Sequence, residues 1–216
     1  MTSRFLALAA FAVAPLAAQR SVTDRLSGHL PAPVVSAVAT IADSALARSL
    51  PVDPLVNKAI EGGAKGVPGD RVIAAVSTVF HQMADAATAL ASGGIKSPDG
   101  ETVEAGAFAL SAGLSAANVA GLAHASGEPR AAPALRVAGA LAALGVPTRD
   151  AVSLVTETLA DGGSADDIGA LPARVEANMA HGASPAAAAA AAAHGGVRGS
   201  PSTPRRPSRG DHGRKP

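Results

Sequence analysis

The 216-residue chain contains no cysteine, no tryptophan and no tyrosine, and only four phenylalanines. Without cysteine there can be no disulfide, no thiolate metal ligand and no cysteine nucleophile. Two of the phenylalanines, Phe5 and Phe11, stand in the N-terminal segment, so the rest of the chain must build its interior from Ala, Val and Leu. Such side chains bury little area each, at ~25 cal/mol per Å², and the elements that carry them have to approach closely. Strand signals are missing too. No run alternates β-branched or aromatic residues with polar ones, and neither Asp99-Gly100 nor Asp161-Gly162 is flanked by such runs. The expected fold class is all-α: a single domain over residues 33–195, of eight or nine helices, as an antiparallel array or an irregular orthogonal bundle.

The N-terminal segment has the layout of a secretory signal. Arg4 supplies the positive charge, Phe5 to Leu16 the apolar run, and Ala17 and Ala18 the small residues of a cleavage site. The run is short for a membrane span. Residues 1–18 are therefore expected to be a signal peptide cleaved near Ala18, and the mature protein to be exported, periplasmic or extracellular. No cysteine follows the run, which excludes a lipid anchor there. Residues 19–32 read as a polar lead-in without a clear period.

Helix signals follow one another from Pro33. Val34, Val38, Ile41, Ala45 and Leu46 recur at threes and fours. Asp53-Pro54 reads as a cap followed by a proline at the first helical position. The strongest helix spans about Gly69 to Ala91, with Val72, Val76, Val79, Phe80, Met83, Ala87 and Leu90 in one stripe. Lys96 to Gly100 reads as a loop, and a helix follows from about Glu101 to Ala112. A punctuation mark then recurs, in which Gly ends one helix and Ser or Pro opens the next: Gly113-Leu114-Ser115, Gly145-Val146-Pro147 and Gly182-Ala183-Ser184-Pro185, with an earlier copy at Gly66-Val67-Pro68 and a shorter one at Gly163-Ser164. From Gly127 to Gly182 the marks fall every 18 or 19 residues, which suggests one helix per interval and degenerate two-helix repeats. Ser164 with Asp167 has capping-box spacing. Pro172 interrupts the stripe Ile168, Leu171, Val175, Met179, so the helix there restarts or kinks. The eight alanines Ala186 to Ala193 form a final helix that must dock on the body to persist.

No catalytic constellation is recognisable, which favours a non-enzymatic role over an enzyme. Neither a phosphate-binding loop nor a dinucleotide fingerprint is present, and no cofactor is implied. Ser115 has the outline of a nucleophile elbow but lacks the closing glycine and a preceding strand, so it reads as a helix cap. His81 and Asp85 lie four apart, yet two ligands do not make a metal site. Ala105 to Gly127 carries no Asp, Glu, Lys or Arg for over twenty residues, which is membrane-spanning length. Its Ser111, Ser115, Asn118 and Ser126 make it a buried helical hairpin instead.

The most distinctive stretch is Leu55 to Val72, where Lys58, Glu61, Lys65, Asp70 and Arg71 gather around the Gly-rich corner Gly62-Gly63-Ala64-Lys65-Gly66-Val67-Pro68. In one reading, Lys65 and Arg71 hold an anionic ligand near a helix N-terminus and Glu61 orients it or acts as a base. In the other, Lys58–Glu61 and Glu61–Lys65 are surface pairs at helical spacing. The stretch resembles a segment of the form Lys-Ala-x-Glu-Gly-x-x-Lys-Gly-Val-Pro-x-x-Arg-Val in a group of small secreted bacterial helical proteins with no activity attached. The likeness covers about 18 residues. It implies export and helices and transfers no catalytic role.

Charge is unevenly spread. Residues 20–195 hold 11 Lys and Arg against 16 Asp and Glu; residues 196–216 hold six against one. An acidic body thus carries a basic end with Arg198, Arg205, Arg206, Arg209, Arg214 and Lys215. This end is Gly-, Pro- and Ser-rich and almost without apolar residues, the composition of a disordered tail. It suits an anionic polymer or lipid surface, and the absence of aromatic interleaving argues against nucleic acid; the other readings are a solubilising end or a tail that folds back on the acidic body. The function class favoured by the sequence is an exported interaction or structural module of the cell envelope that binds another protein or an envelope component. A small exported enzyme or anion binder using the corner is the alternative, and a tether acting through the tail a third.

Overall fold

The computed structural model describes residues 21–195. The expected signal peptide and the basic tail lie outside them. The described residues are all-α, with eleven helices and no strand. They form two compact units with the boundary between His81 and Gln82, inside the long helix α4 (Gly69–Ser92).

The first unit holds α1 (Val22–Leu26), α2 (Ala32–Leu46), α3 (Asp53–Ala64) and α4 as far as His81. Helix α1 falls in the stretch read as a lead-in. One turn is too short to show a period, but it is locally specified: the Ser21 hydroxyl accepts from the Asp24 N–H at 3.1 Å, and Leu26 is fully buried. In α2 the buried residues are Val34, Val35, Val38, Ala42 and Ala45. Leu46, read as part of the stripe, is instead 58% exposed, because one residue past Ala45 turns it ~100° off the face. Asp53 is not a cap. It sits in the first turn of α3, where its carboxylate accepts from the Arg25 guanidinium at 2.6 Å.

Helix α3 ends as the sequence suggests. Gly66 takes φ 64°, the Val67 N–H reaches back to the Gly62 carbonyl at 2.9 Å, and the Gly66 N–H bonds the Gly63 carbonyl at 3.0 Å. This pair of bonds satisfies the last carbonyls of the helix. The same long bond closes α4 (Ile95 to Leu90), α5 (Leu114 to Ala109) and α7 (Val146 to Leu141). Ile95, Leu114 and Val146, each just past its turn, are buried. A further copy after α2 runs from Leu50 to Ala45, with Ser49 at φ 57° where the others have glycine.

The second unit holds the rest of α4, α5 (Gly100–Ser111), α6 (Ala116–Ser126), α7 (Glu128–Ala143), α8 (Thr148–Ala160), α9 (Ala165–Gly169), α10 (Leu171–Ala180) and α11 (Pro185–Gly195). Helix α7 is its hub and packs on α5, α6, α8, α9 and α10. It buries Ala131, Ala134, Leu135, Ala138, Gly139 and Leu141, mostly small residues, along a broad face, and leaves Arg130, Arg136 and Ala143 exposed. Pro172 marks a restart: α9 stops at Gly169 and α10 begins at Leu171 with the proline in its first turn. The interval from Gly163 to Gly182 therefore contains two helices, which breaks the one-helix-per-interval reading. The alanine helix α11 docks on α8 and α10, burying Ala188, Ala189 and Ala192. Among the described residues no helix is long and apolar enough to cross a membrane.

Glycine sets the closest approaches. A Cβ on Gly93 would stand 2.4 Å from the Ala120 carbonyl oxygen and 2.9 Å from the Ala123 methyl, whereas one on Gly121 would meet nothing within 4 Å. Gly93→Ala should thus push the end of α4 off α6 and cost ~1–3 kcal/mol. Gly121→Ala should add ~0.5–1 kcal/mol through helix propensity alone. Urea unfolding of the two variants beside the parent checks this. A Gly93→Ala midpoint equal to the parent's would mean that the contact is not close in solution.

Candidate functional site

The corner between α3 and α4 brings three of its five charged residues together. Lys58, Glu61 and Lys65 lie on one face of α3 and its end. The Lys58 ammonium donates to one Glu61 carboxylate oxygen at 3.1 Å, and the Lys65 ammonium to the other. The ladder is at the surface, with the Glu61 side chain 44% exposed and that of Lys65 66%. Hydrogen bonding from Lys65, then from Lys58, and the charges of both ammonium groups hold the Glu61 carboxyl below its ordinary pKa. A carboxylate so held is a poor proton acceptor at neutral pH. Asp70 and Arg71 occupy the first turn of α4, both exposed, and neither has an ion pair among the described residues.

The close backbone packing at this corner explains its glycines. A Cβ on Gly62 would stand 2.8 Å from Val72 Cγ2, and one on Gly63 2.5 Å from the His29 carbonyl oxygen. The Gly-rich run therefore lets α3 seat against α4 and the loop after α1. It is a packing device in its own right, independent of any ligand.

Elsewhere several polar side chains work as caps. Ser115 caps α6 in a reciprocal box with Asn118, and Ser164 caps α9 with Asp167. Asp99, placed in a loop by the sequence reading, caps α5: its Oδ1 accepts from the Thr102 N–H at 2.7 Å. Hydrogen bonds from Thr102 and Ser164 lower the pKa values of Asp99 and Asp167 respectively. Thr102 and Ser126 are the only buried polar side chains among the described residues, and no buried side-chain nitrogen or oxygen lacks a partner. No group of three or more His, Asp or Glu gathers at metal-binding spacing among them.

Open grooves are the other candidate feature. In the second unit a groove of about 540 Å³ runs between α4 and α6, closed at one side by Leu110 of α5. Ala89, Ala116, Ala117 and Ala120 supply its apolar lining, and Gln82, Asp85, Thr88 and Ser92 the α4 rim. A smaller groove of about 300 Å³ lies between α8 and α11. In the first unit a groove of about 930 Å³ is bordered by the exposed Leu46 and by the Arg25–Asp53 pair. None of the three is visible in the sequence, although the small residues Ala116, Ala117 and Ala120 on one helix are a signal for the first.

No family model, curated protein or solved structure matches this chain.

Because the Glu61 pKa is lowered in the folded state, the ladder's contribution to stability is complete above the ordinary glutamate pKa. It is lost as the pH falls through the lowered one. Carbon-detected NMR titration should find the Glu61 midpoint below the ordinary value. It should rise in both Lys65→Ala and Lys58→Ala. Midpoints unchanged in both variants would rule out the ladder as the cause.

Proposed function

We propose that this chain is an exported helical interaction module whose working surface is the groove between α4 and α6. The observation that carries the reading is the shape and chemistry of that groove. Its lining is methyl groups and one leucine, and its rim residues Gln82, Asp85, Thr88 and Ser92 repeat at threes and fours along α4. Ten residues of helix span ~15 Å, enough to seat about three turns of a partner helix. Small residues allow that partner a close approach, in the manner of a helix laid in an apolar groove. The partner expected is an amphipathic helix with a small apolar face and a basic residue for Asp85.

The corner at Lys58–Arg71 supports an anion site less well, since Glu61 engages both lysines. Export rests on the charge, apolar run and small residues of the first 18 positions.

A photo-crosslinking residue placed at Thr88 or Ala117 in cells should give one discrete adduct in the envelope fraction. The same residue at the exposed Glu176 on α10 should give none, and Ala120→Arg should abolish the groove adducts. The protein recovered from that fraction should begin near Gln19. Identical adduct patterns from all positions would eliminate the groove, and an unprocessed N-terminus would eliminate export.

A further inference from the structure

The groove between α8 and α11 differs chemically from the first. On α8, Asp150, Ser153 and Glu157 line it; on α11, Ala186, Ala190 and Ala193 do, and His194 lies at its end. One wall is acidic and the other is methyl groups. Neither carboxylate has an ion pair among the described residues; Glu157 accepts only the Ser153 hydroxyl, at 2.7 Å. No Lys or Arg lines the groove. A cation with a long aliphatic stem fits both walls, its methylenes on the alanines and its head on the carboxylates.

The chain carries such cations from the mouth of this groove. Pro185 at the start of α11 lies beside Gly145, three residues before α8 begins. Both helices therefore start at the same end, and α11 finishes at His194 and Gly195 near the Glu157 end of the groove. Arg198 follows three residues after Gly195, within ~10 Å of extended chain plus its own side chain. Arg205, Arg206, Arg209, Arg214 and Lys215 come next. The complementarity is also regional. Residues 21–81 balance, with five Lys and Arg against five Asp and Glu. Residues 82–195 hold five against eleven, and residues 196–216 hold six against one.

We infer that the C-terminal segment Arg198–Lys215 docks in the acid-walled groove between α8 and α11 of the same molecule, and that this groove is a polycation-binding surface with its own tail as resident occupant. Each exposed ion pair is weak. Covalent attachment raises the tail's local concentration to the millimolar range, which lets several weak pairs act together. An anionic surface that captures the tail frees the groove, so the two sites are coupled by competition.

The absence of native cysteine makes the test clean. A spin label on Ser208→Cys of the otherwise full chain should broaden amide signals of residues 150–157 and 186–194 more than those of α5 and α6. That selective broadening should disappear in Asp150→Asn/Glu157→Gln, and also in 1 M NaCl, where the screening length is ~3 Å. It should persist on dilution with unlabelled protein. Broadening that is unselective, or unchanged in the double variant, would overturn the proposal. So would broadening that appears on mixing spin-labelled and isotope-labelled molecules, which would assign the groove to a neighbour's tail.

Discussion

Every part of this structure depends on helix backbones coming closer together than large side chains permit. Its only described aromatic residues are Phe80 and Phe108, so bulk cannot fill the space between helices. The gap is closed by removing side chains instead. Gly93 lies against the Ala120 carbonyl, Gly63 against the His29 carbonyl, and a Cβ on Gly139 would meet both the Phe108 ring and the Ala109 backbone. Dispersion then comes from many methyl and backbone contacts at short range. The cost is tolerance, because at these positions one added methylene has nowhere to go.

Much of the fold was legible because helix ends are written locally. Gly66, Gly113 and Gly145 announced their turns, and the apolar residue that follows each was the visible half of the closing bond. The turn at Ser49 escaped notice because a serine stands where the others have glycine. Asp99 escaped because Asp-Gly before a helix resembles a plain turn. Helix α1 is a single turn and has no period to detect. The split at Ala170 is not fixed by sequence because Pro172 is compatible with either a restart or a kink, and only packing against α7 and α8 decides between them.

The candidate sites show a sharper limit. The Lys58–Glu61–Lys65 ladder was readable because its spacing is helical and its partners are neighbours in sequence. The grooves were not, because each is made by residues far apart in the chain: Gln82 with Ala120, Asp150 with His194. Sequence periodicity tells which face of a helix is apolar. It does not tell where two such faces leave space between them. Among the described residues many polar side chains cap helices, pair on surfaces or bond back to a carbonyl of their own helix, and this directs attention from chemistry within the core to recognition along its exterior.

The second unit is organised around α7 through close contacts of small side chains. Amide hydrogen exchange under native conditions tests it most directly. The amides of Ala134 to Leu141, on the helix that touches five others, should be the slowest to exchange in residues 82–195, opening only with global unfolding. Those of α11, a helix docked on two neighbours, should exchange by local opening. Exchange from α7 as fast as from α11 would contradict the account.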